Sequence, residues 1–305
     1  MRREGICMSE FIRLQTEKSF ALVCPTRGMN TVRLSFSGED ILRFPKDTEE
    51  LDAEKYLYGT PLLMPANRTS GASFELDGER YSLPMNEPLR GNSLHGIMTD
   101  KTFRIKEKSE NKVVGFYRNE CADFPFSFEC EVSLSLEDDG YTQIYSFKNT
   151  DKKRMPLIFS LHNTFLAKGY ARAPIGMRYE WNENYIPTGK LLPRNPAEEN
   201  LARGGDTEGT VLTGYHTSEG HAAQIGKIEY TVSDNFTDWV TFNGRGERGI
   251  ICIEPQNAPV NALNTKKGLK ILDAGEGEIL EKGVYVATSA TEPSPRKIAM
   301  PSAGK

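Results

Sequence analysis

The sequence predicts an all-β chain built as one large antiparallel β domain. Three observations carry that expectation. From Phe126 to Leu136 every second residue is apolar (Phe126, Phe128, Cys130, Val132, Leu134, Leu136), with Ser and Glu between them. That period marks a strand with one face buried and one in water. Hairpin turns recur, as in Asp77-Gly78 between two such runs, and Asp-Gly suits the two-residue turn whose twist matches paired strands. Few segments keep a helical period over three turns.

Taken in order, strands are expected at 31–36, 73–76 and 79–83, the last two joined by Asp77-Gly78. Further strands are expected at 103–108, 112–117, 126–136 and 141–149. Glu137-Asp138-Asp139-Gly140 turns the strand at 126–136 into the one at 141–149, making a long hairpin. Strands follow at 155–162 and 227–232. A third hairpin joins Trp239-Val240-Thr241-Phe242 to Ile250-Ile251-Cys252-Ile253 through the loop Asn243 to Gly249. The last strands are expected at 269–272 and 283–289. Residues 182–210, rich in Asn, Pro, Gly and Glu, read as a long excursion with little core. The domain is expected over 1–291, and the Pro- and Ser-containing tail from Glu292 to Lys305 reads as disordered.

Composition narrows the function. The chain has 305 residues, 38 basic and 42 acidic, for a net charge of −4. No basic stripe points to nucleic acid. No apolar run approaches the roughly 18 residues of a membrane span. The first residues are basic but lack the apolar segment of a signal peptide. Five scattered cysteines (Cys7, Cys24, Cys121, Cys130, Cys252) fit neither a disulfide framework nor a zinc site. The expectation is a reduced, cytoplasmic protein with no metal and no cofactor.

One glutamate stands out. In Gly249-Ile250-Ile251-Cys252-Ile253-Glu254-Pro255-Gln256-Asn257, Glu254 follows four apolar residues, and Pro255 biases it towards an extended backbone. The strand is therefore expected to carry Glu254 to its last residue. A carboxylate there is partly desolvated, which raises its pKa towards a general-base value. His162 closes the apolar stretch Pro156 to Leu161, and His95 sits in the polar turn Gly91 to Gly96. A base, an acid and a polar helper are what reversible opening of a sugar ring needs, one option among several on residue types alone. Taken singly, Glu254 also fits a strand-end surface carboxylate, His162 a hydrogen-bonded core histidine, His95 a loop histidine and Arg68 a surface arginine. His216 and His221 receive no role. Gly244-Arg245-Gly246-Glu247-Arg248-Gly249 spells the dinucleotide-binding glycine pattern. It is rejected, because that motif must open a helix and here a strand is expected next.

Three stretches in order change the reading: Tyr58 to Arg68 running on through Gly78 and Tyr81 to Leu94-His95-Gly96; Leu161-His162-Asn163-Thr164-Phe165 followed by Tyr185 to Gly189; and Cys252-Ile253-Glu254-Pro255-Gln256 followed by Ala262-Leu263-Asn264. With them the chain resembles the aldose 1-epimerase (galactose mutarotase) family over about residues 30–290. The resemblance implies a large antiparallel β-sandwich of the galactose mutarotase-like supersandwich type, with an open sugar cleft on one concave sheet. It implies an isomerase that interconverts the α and β anomers of a hexose. Glu254 would be the general base at the anomeric hydroxyl and His162 the general acid at the ring oxygen. His95 would bind near that oxygen, and Arg68 would bind sugar hydroxyls. The partner would be a small-molecule aldose, and the protein a monomer or weak dimer. The family's aspartate for sugar hydroxyls falls near Leu212-Thr213-Gly214-Tyr215, where no acid stands; Asp206 is the nearest upstream. Some relatives act on hexose 6-phosphates, and Arg90 and Arg172 are the candidate phosphate partners. A sugar-binding protein without turnover is the remaining alternative.

Two geometric expectations follow. Pairing of 236–242 with 249–255 would set Glu254 near Phe236, Thr237 and Asp238, within about two residues of register. By analogy with carboxyl pairs that bracket a glycosidic bond, Glu254 and His162 would stand about 5–9.5 Å apart across the sugar ring.

Overall fold

The computed structural model describes residues 10–120, 123–167, 169–246 and 249–286. Strands make up 51% of the structure and helices 11%, so the all-β expectation holds. Two large antiparallel sheets face each other. The first has nine strands in the order Arg104–Lys108, Lys112–Glu120, Ser127–Leu136, Gly140–Asn149, Gly277–Val286, Ile228–Val232, Ala222–Ile225, Tyr170–Arg172 and Gly205–Asp206. The second runs Pro187–Leu192, Ile175–Trp181, Thr213–Ser218, Asp238–Phe242, Ile250–Gln256, Ser160–Leu161 and Leu62–Leu63, with Thr164–Leu166 also paired to Ile250–Gln256. A four-stranded sheet from Ile12–Gln15 to Glu39–Asp40 adds to one flank.

The core between the sheets follows from the period-2 pattern. Phe128, Cys130, Val132, Leu134 and Leu136 are fully buried, while the residues between them are half-buried. They share one apolar cluster with Tyr145 and Leu280 of the same sheet and with Leu161, Trp239, Ile251 and Ile253 of the other. The opposite face of the eight-stranded sheet carries a separate cluster: Tyr179, Tyr215, Val240 and Val260, flanked by Trp181, Tyr185 and Leu191. This aromatic face carries the candidate site.

The Asp77-Gly78 turn has both central residues at positive φ, +54° and +80°, as its sequence requires. Elsewhere the structure corrects the reading. The strand expected at 155–162 is two pieces in different sheets: Met155–Leu157 pairs with Lys270–Leu272, and Ser160–Leu161 joins the eight-stranded sheet. The segment 182–210 contributes more to the core than expected. It holds the strand Pro187–Leu192 and the helix Pro196–Arg203, which starts with a capping box between Asn195 and Glu198 and buries Leu201 in the main core. The strand expected at 283–289 begins earlier, at Gly277; residues 287–289 and the tail from Glu292 lie outside the described residues. Among the described residues no helix is long and apolar enough to cross a membrane.

Candidate active site

The strand Ile250–Gln256 is buried along its whole length and sends alternate side chains to opposite faces. Ile251 and Ile253 enter the main core, so Cys252, Glu254 and Gln256 point to the aromatic face. Val240 is the partner of Glu254, whereas pairing 236–242 with 249–255 sets Thr237 there, an offset of three residues. It arises because the connection is wider than expected: Phe242 pairs with Cys252, and Gly244, Arg245 and Gly246 all take positive φ in the loop between them. A strand follows that loop, as the rejection of a dinucleotide site requires.

The strand also runs past Glu254 to Gln256, so Glu254 is not its terminal residue. Pro255 is tolerated in mid-sheet for a specific reason. Ile253 and Asn257 donate their N–H groups to the carbonyls of Asn163 and Phe159. The N–H that proline lacks would point the same way, at Leu161. The Leu161 carbonyl is instead filled by Asn163, from its backbone nitrogen at 3.0 Å and its Nδ2 at 3.1 Å. The proline and the break in the neighbouring strand therefore compensate each other.

That break holds His162. Ser160 pairs with Gln256 and Thr164 with Cys252, which places His162 directly opposite Glu254. Cross-strand neighbours on one face have Cβ atoms about 4.5–5.5 Å apart. Accordingly His162 Nε2 lies 3.4 Å from Glu254 Oε1, closer than the gap expected by analogy with glycosidases. The analogy fails because those carboxyls stand on opposite sides of a bond, whereas these two rise from one sheet row. The structure thus brings the two residues to one face, side by side.

His95 and Arg68 join them. The pairing of Arg68–Ser70 with Asn92–Leu94 carries Arg68 opposite Leu94 and presents His95 at its end. The His95 ring packs on Tyr56, with centroids 4.6 Å apart, and meets the edge of His162 at 5.4 Å. Gly96 makes this possible: its φ is +65°, and a Cβ there would stand 2.0 Å from the Met64 carbonyl oxygen. Arg68 donates from Nε and Nη2 to both oxygens of Glu87, each at 2.9 Å, and from Nη1 to Tyr215 Oη at 2.9 Å. Tyr215, Val240 and Glu254 form one row across three strands. The site is drier than the open cleft that was expected. Glu254 is 2% exposed, His162 6% and His95 8%, because Tyr56 and the Tyr215–Val240–Val260 cluster crowd around them.

Burial sets the electrostatics. It pushes the Glu254 carboxyl up to about 8, against the pull of Arg68. It pushes His162 down to about 4 and holds His95 well below the usual histidine range, there helped by the charges of His162, Arg68 and Lys55. The 3.4 Å contact of Glu254 with His162 acts the other way on both, since each charged form favours the other. Glu254 Oε2, His162 Nδ1 and His95 Nδ1 are buried without a protein hydrogen-bond partner, so each has a hydrogen bond left to make. Among the described residues, His162, Cys252 and Glu254 also bring one ligand atom each within 4.8 Å of one another, a set that could hold a metal ion.

Sequence reasoning missed Tyr215, Glu87, Tyr185 and Tyr56, whose contacts with the candidate residues join segments distant in the chain. Tyr215 stands in the very segment where the family's aspartate is lacking, and its hydroxyl is held by Arg68. Asp238 lies on the same face, but its two oxygens accept from Tyr179 Oη at 2.8 Å and Thr237 Oγ1 at 2.7 Å. Of the two candidate phosphate partners, Arg90 reaches the site's rim. It contacts Glu87 at 3.3 Å and lies over Tyr185 at 4.7 Å, and Arg68 lies over that same ring at 5.0 Å. Arg172 is exposed on the nine-stranded sheet, and Asp206 sits at that sheet's edge; neither joins the site. His216 is a core residue beside Thr241, with Nε2 3.2 Å from Oγ1, and His221 lies near Asp234.

Known proteins agree with this architecture. A galactose mutarotase-like protein from Clostridium acetobutylicum superposes with a TM-score of 0.84 at 22% identity, over 92% of this chain and 95% of that one. An aldose epimerase homologue from C. elegans gives 0.77 at 14% identity, over 91% and 99%. A galactose 1-epimerase from Lactobacillus acidophilus gives 0.71 at 16% identity, over 90% and 93%. At such identities the structures establish the shared fold. The sequence profile of the aldose 1-epimerase family matches residues 10–278. The chain therefore belongs to the aldose 1-epimerase family, a family of isomerases.

Proposed function

We propose that this protein interconverts the α and β anomers of a free hexose by acid–base opening of the ring. The observation that carries the proposal is the side-by-side placement of Glu254 and His162, 3.4 Å apart on one sheet face. The two oxygens that must exchange protons, the anomeric hydroxyl and the ring oxygen, are bonded to the same carbon. An acid and a base rising together from one sheet suit geminal oxygens better than a pair spanning a ring. Glu254 takes the anomeric proton as the C1–O5 bond breaks and C1=O1 forms, and His162 delivers a proton to O5. Rotation about C1–C2 presents the other face of the aldehyde, and the reverse transfers close the ring. His95, whose ring meets His162, hydrogen-bonds near O5. Arg68 and Tyr215 hold sugar hydroxyls.

A hexose 6-phosphate is the second reading, and one observation favours it. Arg68 and Arg90 flank Tyr185 and share a single carboxylate, Glu87, which leaves one positive charge over at the rim. Polarimetry or NMR on freshly dissolved α-anomers tests both readings across a panel of hexoses and their 6-phosphates. Acceleration over buffer is expected for free hexoses, and no acceleration of any sugar would defeat the proposal. A phosphorylated substrate is indicated if Arg90→Gln raises KM for the 6-phosphate alone. Turnover should persist in EDTA, since both proton transfers use side chains; loss on chelation, restored by one divalent metal, would show otherwise.

A further inference from the structure

Lys282 occupies an unusual place. The strand Gly277–Val286 sends Leu280 and Val284 into the main core, and Lys282 lies between them at 1% exposure. A buried amine is costly unless it is well partnered. Among the described residues this one has no carboxylate partner. Its Nζ donates instead to Asn163 Oδ1 and lies 5.4 Å from the centroid of the Tyr230 ring.

Asn163 follows His162 in the strand break, and its side chain points to the core while His162 faces the site. Asn163 Nδ2 donates to Tyr230 Oη at 2.7 Å and reaches the carbonyls of Leu161 at 3.1 Å and Ile253 at 3.2 Å. Its own carbonyl accepts from the Ile253 N–H at 3.3 Å. One asparagine thus ties the residue before His162 to the residue before Glu254, across the break that Pro255 creates.

We propose that Lys282, Asn163 and Tyr230 form a buried clamp that sets the distance between His162 and Glu254, with Lys282 as a positioning residue anchored in the opposite sheet. The inference rests on the acid–base reading of that pair. A methionine of similar length would fill the space at 282, so packing alone does not call for an amine. Without it Asn163 keeps its reach to two carbonyls but loses the anchor that fixes which face of the break each side chain takes.

The test is kinetic and spectroscopic. Lys282→Met should lower kcat by about 10²-fold with KM nearly unchanged, the signature of misplaced reacting groups. Asn163→Ala should do the same, and the double variant should lose little more than the worse single variant, because the two act as one unit. Losses that multiply, or an unchanged kcat in Lys282→Met, would overturn the clamp. Should Lys282→Met fail to fold, Tyr230→Phe keeps the packing and removes one hydrogen bond. It should cost kcat about 3- to 10-fold, and an unchanged kcat overturns the proposal. Histidine NMR separates this idea from the functional one, since the chain has only four histidines. The His162 imidazole signal should move in Lys282→Met or Tyr230→Phe while that of His216 stays. If His162 moves but the wild type epimerises no sugar, the functional reading fails and the clamp stands. If His162 does not move, the clamp fails whatever the activity.

Discussion

At the residue scale, burial governs the Glu254–His162 pair. The proposed ring opening needs one proton shared between Glu254 and His162: carboxylate with imidazolium, or the neutral tautomer of the same pair. With limits at about 4 and about 8, that one-proton state spans neutral pH. Below about 4 both groups are protonated and the base is lost; above about 8 the proton is gone and the acid is lost. A plot of kcat/KM against pH should therefore be bell-shaped, with limbs near those values, and a profile flat from pH 4 to 9 would contradict the pairing. Glu254→Gln and His162→Asn should each lower turnover by about 10²–10⁴. Both variants should still fold, because neither change alters much volume. Near-normal turnover in both variants would remove them from the mechanism. Glu254, His162, His95 and Arg68 were all legible as candidates in the sequence, because local settings and the family's motifs mark them. Tyr215 and Glu87 were not: a tyrosine in a strand and a glutamate in a loop carry no local sign that Arg68 will join them.

At the element scale, two backbone devices hold the site. One is the break at His162 and Asn163, matched to Pro255. The other is the turn at Gly96, which presses backbone to backbone against Met64. Gly96→Ala demands a left-handed conformation from alanine, worth about 1–2 kcal/mol. It also puts a methyl 2.0 Å from a carbonyl oxygen that cannot yield freely. Urea unfolding should show at least that loss, with turnover reduced as His95 shifts. A variant as stable as wild type would mean the turn is not constrained as described. The sequence placed the hairpins well, since alternation and Asp-Gly are local signals. It joined residues 155–162 into one strand because an apolar run does not reveal where it changes sheets. It also passed over the helix Pro196–Arg203, whose eight residues are too few for a helical period to show.

At the scale of the whole molecule, the packed sheets enclose titratable groups with consequences for stability. His216, fully buried, is pushed down to about 3 by burial first, then by Arg178 and Arg194, and His162 to about 4. Their folded values lie below the unfolded value of about 6.5. The neutral forms therefore contribute stability that is present above about 6.5 and lost as pH falls through 4 and then 3. Glu254 has the opposite sign. Its folded value is raised, so its contribution is present below its unfolded value and lost as pH rises through about 8. Melting temperature should decline on both sides of neutrality, and His216→Gln should flatten the decline between pH 6.5 and 4. An unchanged slope in that variant would show that His216 does not carry the effect.

The sequence by itself determined the all-β class, the main hairpins and the four candidate site residues, because period-2 alternation, turn chemistry and motif order are written locally. Only the tertiary structure decided how they meet. The register that sets Glu254 opposite both Val240 and His162, the 3.4 Å spacing of the pair, the Arg68–Glu87–Tyr215 network and the buried Lys282 all join residues far apart in the chain. Such contacts depend on which strands become neighbours. That choice is made by burying two sheet faces against each other, a property of the whole fold that no local stretch encodes.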